Sequence, residues 1–373
     1  MRLQPVSNPL IGGSLRFAMS DLSERADALF KAYIGRNPGA SLTIIKDGQS
    51  LLKRTYGLAN IENGTNVKPE TNFRLASLSK AFTAVCILKL AERGKLSLED
   101  SLRSRIPELP TYADEITLRQ ILWHVSGLYD YDSANLTSYR GQLHEADVLK
   151  LIMTSPPPYF PPGSKYQYSN TGYVLLGVVV ERVSGHPFPQ FMDREIFQPL
   201  GMNNSVLYGD GKNIVRNRAY GYEEKNGKWV IRDQSQTSAL FGDGGAYSNI
   251  EDLAKWDEAL YTDKLLTRET LTDVFTSGKL TNGETAGCGY GWEILRLGSE
   301  KVIYHDGSTS GFKNMYIRIP SRRLSVIFLT NRSDYNLYGF KEITDKTKGI
   351  EVILHALELD NYWAADIANR ARE

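Results

Sequence analysis

Cysteine is scarce in this chain: its 373 residues hold two, Cys86 and Cys288. Two thiols cannot build a disulfide framework, though a single bridge between them stays open. Cys86 lies inside an apolar, helix-like run, where a buried structural thiol is the expected state. Histidine is also sparse. None of the five, His124, His144, His186, His305 and His355, stands at metal-ligand spacing from another, so no metal is expected. An excess of charge is missing as well: the net charge is +1, which gives no reason to invoke nucleic acid or an acidic membrane surface as partner. No run is apolar enough for long enough to span a bilayer. The first twenty residues make a poor signal peptide, because Pro5, Asn8, Pro9 and two glycines interrupt any apolar core. The expectation is a cytoplasmic protein, or one whose leader is missing from this sequence.

What is present suffices for a large buried core. The hydrophobic fraction is 41%, which suits one large domain or two interleaved ones. A helix is predicted after Ser20, with Leu22, Ala26, Leu29, Phe30 and Tyr33 on one face. The strand-like runs SLTIIK and SLLKRTYG follow, joined through Asp47-Gly48, a hairpin signal. The next helix, about Ser77 to Arg93, is apolar on every side, which predicts burial mid-protein. Helices are predicted near 118–123, 145–153, 172–183, 188–197 and 250–261, so the middle reads as mostly helical. SPPPYFPPG, residues 155–163, reads as a stiff loop or a polyproline ligand. From Gly289 strands return in GYGWEILRLG, KVIYH, KNMYIRIP and LSVIFLTN. Two helices are predicted at the end, over 339–357 and 362–372. The simplest assembly is an α/β fold: one antiparallel sheet built from both chain ends, flanked by terminal helices, with a mostly helical domain inserted. The sheet domain takes 1–80 and 287–373, the helical domain 81–286, and a cleft between them is the natural place for a site.

Three local patterns carry chemistry. Ser-x-x-Lys occurs at Ser50, Ser77 and Ser310. Only Ser77 opens a buried helix, where residues i and i+3 share a face and Lys80 can reach the Ser77 hydroxyl. Burial lowers a lysine pKa and turns the amine toward a base. An N-cap serine beside a snorkelling lysine is the competing reading. The second pattern is Tyr168-Ser169-Asn170, echoed at Tyr247-Ser248-Asn249. A phenol near a cation can shuttle a proton, and an asparagine amide can orient a lysine and a substrate carbonyl. The first copy follows a Pro-Gly turn and precedes a helix, so it is preferred; a simple turn with a capping residue is the alternative. The third is His305-Asp306-Gly307-Ser308 at the end of KVIYH. A cleft-bordering strand can pair with a substrate and offer the Ser308 N–H to an oxyanion, while Gly307 permits close substrate approach. A histidine ending a strand before a flexible loop explains the same residues.

Taken in order, the three patterns resemble those of the penicillin-recognising serine hydrolases: class C β-lactamases, D-alanyl-D-alanine carboxypeptidases, D-aminopeptidases and β-lactamase-like carboxylesterases. The resemblance runs from about Ser41 to Asn331, and FRLASLSKAFTA, LRQILWHVSGL, FPPGSKYQYSNTGY and GDGGAYSNIEDLAKW support it. It implies the β-lactamase/transpeptidase-like fold. It implies Ser77 as nucleophile, Lys80 as its base, Tyr168 as general base and acid, and Asn170 as orienting amide. His305 would head the third motif, and the N–H groups of Ser77 and Ser308 would form the oxyanion hole. No cofactor is implied, and the partner is a small-molecule ester, peptide or amide.

Two departures bear on substrate. His305 stands where class C β-lactamases carry lysine, and an unperturbed histidine, pKa about 6.5, attracts a carboxylate less. Asp306 stands where a hydroxyl residue is common, and its charge would repel a carboxylate. Both fit a D-peptidase or esterase acting through acyl-Ser77 better than a β-lactamase. A weak β-lactamase and a non-catalytic penicillin-binding or scaffold protein of the same fold remain the alternatives.

Overall fold

A computed structural model describes residues 21–134, 136, 139–209, 211, 213–334, 350 and 353–355. Its centre is a six-stranded sheet. In chain order the strands are β1 (Ala40–Lys46), β2 (Gln49–Tyr56), β3 (Glu293–Leu297), β4 (Glu300–Thr309), β5 (Phe312–Ile319) and β6 (Leu324–Thr330). Their order across the sheet is β3-β4-β5-β6-β1-β2, and every neighbouring pair is antiparallel. The two ends of the chain therefore meet at β1 and β6, where Ala40 pairs with Thr330 and Lys46 with Leu324. β1 is buried along six of its seven residues, as expected of a strand covered on both faces.

Each face has its own core. On one, Leu22, Ala26 and Leu29 of the helical residues 21–29, with Phe30 just after them, pack with Ile350, Ile353 and Leu354 onto Leu42, Ile44, Ile317, Val326 and Phe328. The other face joins the larger core, which includes Phe82, Val85, Trp256, Tyr316 and Ile327. Three helices shape it: α1 (Ser79–Glu92), α2 (Asn170–Ser184) and α3 (Ile250–Ala259). The predicted all-round burial of α1 is found: Ser79 to Leu88 and Leu90 are buried. Asn249 caps α3 by accepting from Glu251 and Asp252 N–H.

The structure departs from the sequence expectations in the middle of the chain. A three-stranded sheet of Phe73–Arg74, Ala246–Ser248 and Val206–Leu207 lies beside α1, and Tyr222–Lys225 pairs with Lys228–Ile231. That hairpin turns at Asn226 (φ 52°) and Gly227 (φ 73°), an Asn-Gly signal of the same kind as Asp47-Gly48. β4 also runs four residues beyond His305. Residues 306–309 pair with 312–315 across a tight turn in which Ser310 takes φ 46°, so His305 does not end its strand. The terminal helices expected over 339–357 and 362–372 lie outside the described residues, apart from the helical positions 350 and 353–355. Cys86 and Cys288 are both buried and free.

One buried ion pair ties α3 to the sheet. Asp257 accepts from Arg318 Nε (2.9 Å), the Tyr316 hydroxyl (2.6 Å) and the Ser325 hydroxyl (2.7 Å). Both charged side chains are at most 2% exposed. Removing one partner strands the other charge in the interior. Asp257→Ala should lower unfolding stability by about 3–5 kcal/mol, seen as an earlier urea midpoint; an unmoved midpoint would show that the pair contributes nothing.

Candidate active site

Ser77 sits in a 3-10 turn, Ala76–Leu78, that leads directly into α1. No side chain caps the start of either segment, so Ser77 is not the N-cap of the competing reading. Ala76, just before it, takes φ 52°. A residue with a Cβ held there costs about 1–3 kcal/mol, and such strain persists where surroundings enforce it. Those surroundings are close backbone contacts. Leu75 N–H donates to the Ala246 carbonyl at 2.8 Å. Asn314 on β5 donates to the carbonyls of Arg74 (2.8 Å) and Leu75 (3.2 Å). Its register partner on β4 is Gly307, where any Cβ would stand 2.1 Å from the Leu75 carbonyl oxygen. The absence of a side chain at Gly307 thus lets the strand approach the nucleophile turn closely.

Lys80 is fully buried and does not snorkel. Its ammonium donates to Ser77 Oγ (3.1 Å), Asn170 Oδ1 (2.7 Å) and the Asp243 carbonyl (3.0 Å). Burial drives its pKa down to about 8, against the opposing pull of Asp243, Asp130, Asp132 and Asp306. Asn170 opens α2, whose N-cap Ser169 accepts from Gly172 N–H. Its amide is fixed at both ends: Oδ1 faces Lys80 while Nδ2 donates to Asp132 Oδ2 at 2.7 Å. Its own N–H donates to Asp130 Oδ2 at 2.6 Å.

Tyr168 comes from the loop before α2. Burial, the larger effect, pushes its pKa well above the usual tyrosine value, although the Ser77 hydroxyl is close enough to ease its ionisation. The Lys80 ammonium lies 4.8 Å from its ring centre. The expectation that a nearby cation would make this phenol shed its proton therefore meets an opposing and larger effect, desolvation of the phenolate. Of the two groups, Lys80 is the one tuned to take a proton near neutrality. The echo at Tyr247 lies elsewhere: it is buried in the small sheet, where its hydroxyl accepts from Arg218 (3.2 Å) and Gln234 (3.3 Å).

Ser77 opens onto a cleft of about 230 Å³, lined by Ala76, Tyr131, Asp132, Asn170, Asp243 and Ser308 among others. His305 is 3% exposed. Its ring meets that of Tyr168 edge-on at 6.1 Å, and its Nδ1 lies 2.6 Å from the Asp306 carbonyl. The other Ser-x-x-Lys pairs stand apart. Ser50 is exposed and Lys53 pairs with Glu251 at 3.2 Å, and Ser310 makes the β4–β5 turn. Among the described residues no group of three or more His, Cys, Asp or Glu could hold a metal ion, and no helix is long and apolar enough to cross a membrane.

Sequence reasoning missed the acidic wall and the third oxygen on Lys80. Tyr131 donates its hydroxyl to Asp243 Oδ2, so Asp130-Tyr131-Asp132 and Asp243 form one hydrogen-bonded group around Asn170 and Lys80. The signal for Asp243 was its setting in GDGG: a Cβ at Gly242 would stand 2.2 Å from the Tyr173 carbonyl, so only glycine lets this backbone reach the helices.

A Beta-lactamase family profile matches residues 26–346. The chain belongs to the Beta-lactamase family. This is a fold family of serine hydrolases. Penicillin-binding protein 4* of Bacillus subtilis (strain 168) is 34% identical over 307 residues, 78% of this chain and 67% of that protein. The chain spans about two thirds or less of the length of the curated relatives it matches. The octameric penicillin-binding protein homologue from Pyrococcus abyssi has the same fold, with a TM-score of 0.70 at 28% identity over 87% of this chain and 74% of that one. D-amino acid amidase from Ochrobactrum anthropi SV3, complexed with L-phenylalanine amide, shares the fold at 23% identity and a TM-score of 0.71, over 93% of this chain and 99% of that one.

A Beta-lactamase-family site with a lysine pKa of about 8 has a definite pH signature. Only a neutral amine at this position can accept a proton from Ser77, and protonation at low pH removes that capacity. The kcat/KM for p-nitrophenyl acetate, corrected for the Ser77→Ala background, should rise about tenfold per pH unit below 8 and level above it. A profile flat from pH 6 to 9 would mean that Lys80 is not the proton acceptor.

Proposed function

We propose that this chain hydrolyses small esters or D-amino-acid amides and peptides through an acyl-Ser77 intermediate. The observation that carries this reading is the 3.1 Å hydrogen bond from the buried Lys80 to Ser77 Oγ, with Tyr168 beside the same serine. In this reading neutral Lys80 takes the Ser77 proton as Oγ attacks the substrate carbonyl. The N–H groups of Ser77 and Ser308 donate to the developing oxyanion. Tyr168, neutral at rest, passes a proton to the leaving group, and Asn170 holds Lys80 and orients the substrate. Water then enters by the reverse route: it gives a proton back to Tyr168 as its oxygen joins the acyl carbon, and Ser77 leaves with the proton held by Lys80, which releases the acid and restores all three groups. The cleft lies where the sheet portion, residues 1–80 and 287–373, meets the portion 81–286, and we take these as the two domains.

Charge favours substrates without a carboxylate at the reacting end. His305 is buried where class C β-lactamases place a lysine, and the Asp132, Asp243 and Asp306 charges all act on Lys80. A carboxylate brought beside them would be repelled by those charges, an effect that Arg74 in the cleft lining opposes. Hence ester and amide turnover should exceed β-lactam turnover. The fold shared with a D-amino acid amidase makes D-amino-acid amides the natural first panel.

Turnover of p-nitrophenyl esters, D-alaninamide and a chromogenic cephalosporin tests the reading. Lys80→Ala and Tyr168→Phe should each slow acylation by at least about a hundredfold, Ser77→Ala should abolish it, and Tyr247→Phe should leave it close to the parent rate. Turnover that survives Ser77→Ala, or that falls with Tyr247→Phe and not with Tyr168→Phe, would overturn the assignment. No turnover of any panel member would favour the non-catalytic alternative.

A further inference from the structure

His124 takes no part in the steps above, yet it meets the Tyr168 loop in three ways. Its carbonyl accepts the Gln167 N–H at 2.8 Å. Its Nδ1 accepts the Ser169 N–H at 3.0 Å, so that nitrogen carries no proton. Its ring lies almost parallel to that of Tyr168, with centroids 4.3 Å apart and planes at 22°. Gln167 and Ser169 flank Tyr168, so the backbone is held on both sides of the phenol and the ring is held across its face. Behind His124, Tyr173 closes at 4.9 Å and is itself fixed by its hydroxyl to the Leu122 carbonyl at 3.0 Å.

His124 is 3% exposed and takes φ 56°. A residue with a Cβ adopts that conformation only where its surroundings hold it. Here they are the loop 167–169, which takes hydrogen bonds to both the backbone and the ring of one residue. A side chain of similar bulk without an acceptor would leave the Ser169 N–H, on a residue 4% exposed, without its partner.

We propose that His124 is the positioning residue for Tyr168: it sets where the phenol stands relative to Ser77 without touching substrate. This rests on the role given to Tyr168 above. Displacing a catalytic group by about 1 Å can cost about a hundredfold in rate, so a clamp that fixes the phenol acts on kcat rather than on substrate binding.

A double-mutant cycle tests it, with single and double variants His124→Phe and Tyr168→Phe assayed for acylation by p-nitrophenyl acetate. His124→Phe should lower kcat at least about tenfold while KM moves less than about twofold. In the Tyr168→Phe background it should cause no further loss, because the group it positions is gone. His124→Asn, whose amide oxygen can replace Nδ1 as acceptor, should recover part of the rate. Should His124→Phe not fold, His124→Asn carries the same cycle, and its loss must likewise vanish beside Tyr168→Phe. A slow Tyr168→Phe combined with an undiminished His124 loss in the double variant would overturn this inference alone. A Tyr168→Phe enzyme at full rate would overturn it together with the reading it rests on.

Discussion

The architecture of this site depends on keeping one ammonium group out of water. Lys80 is buried at the start of α1 and gives its three donors to oxygens from residues 77, 170 and 243. No two of these oxygens come from neighbouring stretches of chain, so the lysine is a point where the nucleophile turn, the head of α2 and the GDGG loop must agree. Desolvation and the surrounding carboxylates act on it in opposite directions. The first wins, which leaves a lysine able to trade a proton with a serine near neutral pH. Too little burial would leave it a spectator cation. Without the carboxylates, burial would push the pKa lower still.

The scaffold around that lysine is built from backbone as much as from side chains. The turn holding Ser77 is fixed by Leu75 and Ala246, by Asn314, and by the absence of a side chain at Gly307. Thr83 on α1 donates to the Gly242 carbonyl at 2.7 Å, and Ala246 N–H donates to Ser79 Oγ at 3.1 Å. The loop that supplies the Asp243 carbonyl is therefore fastened to the same helix that carries Lys80. This is how a catalytic group can be placed without relying on a flexible chain.

The legible parts of the sequence were those with a side-chain period. Strand-like apolar runs marked β1, β2, β5 and β6, and all-round apolarity marked α1. On α1 the spacing of Ser77 and Lys80 became meaningful, while the same spacing at Ser50 lay on an exposed strand. The preference for Tyr168 over Tyr247 came from the Pro-Gly turn before it and the helix after it, and the structure puts Tyr168, not Tyr247, against Ser77. What was hidden had no such period. A carbonyl ligand such as Asp243 O is invisible in residue types. The run of β4 past His305 depended on pairing with β5, a tertiary fact. The small hairpin was signalled by Asn226-Gly227 but lay in a stretch dominated by helical patterns. His124 acts through its backbone and one ring nitrogen, in a conformation that nothing local in LWHVSG announces.

The account stands or falls on the state of the buried lysine. The most direct measurement follows the side-chain Cε resonance of Lys80, assigned by comparison with Lys80→Ala, across a pH titration of the intact protein. A midpoint near the value of about 8 that burial imposes would show an amine tuned to act as a base. A midpoint at the ordinary lysine value of about 10.4 would contradict it, and the convergence of Ser77, Tyr168 and Asn170 on that amine would then need another explanation.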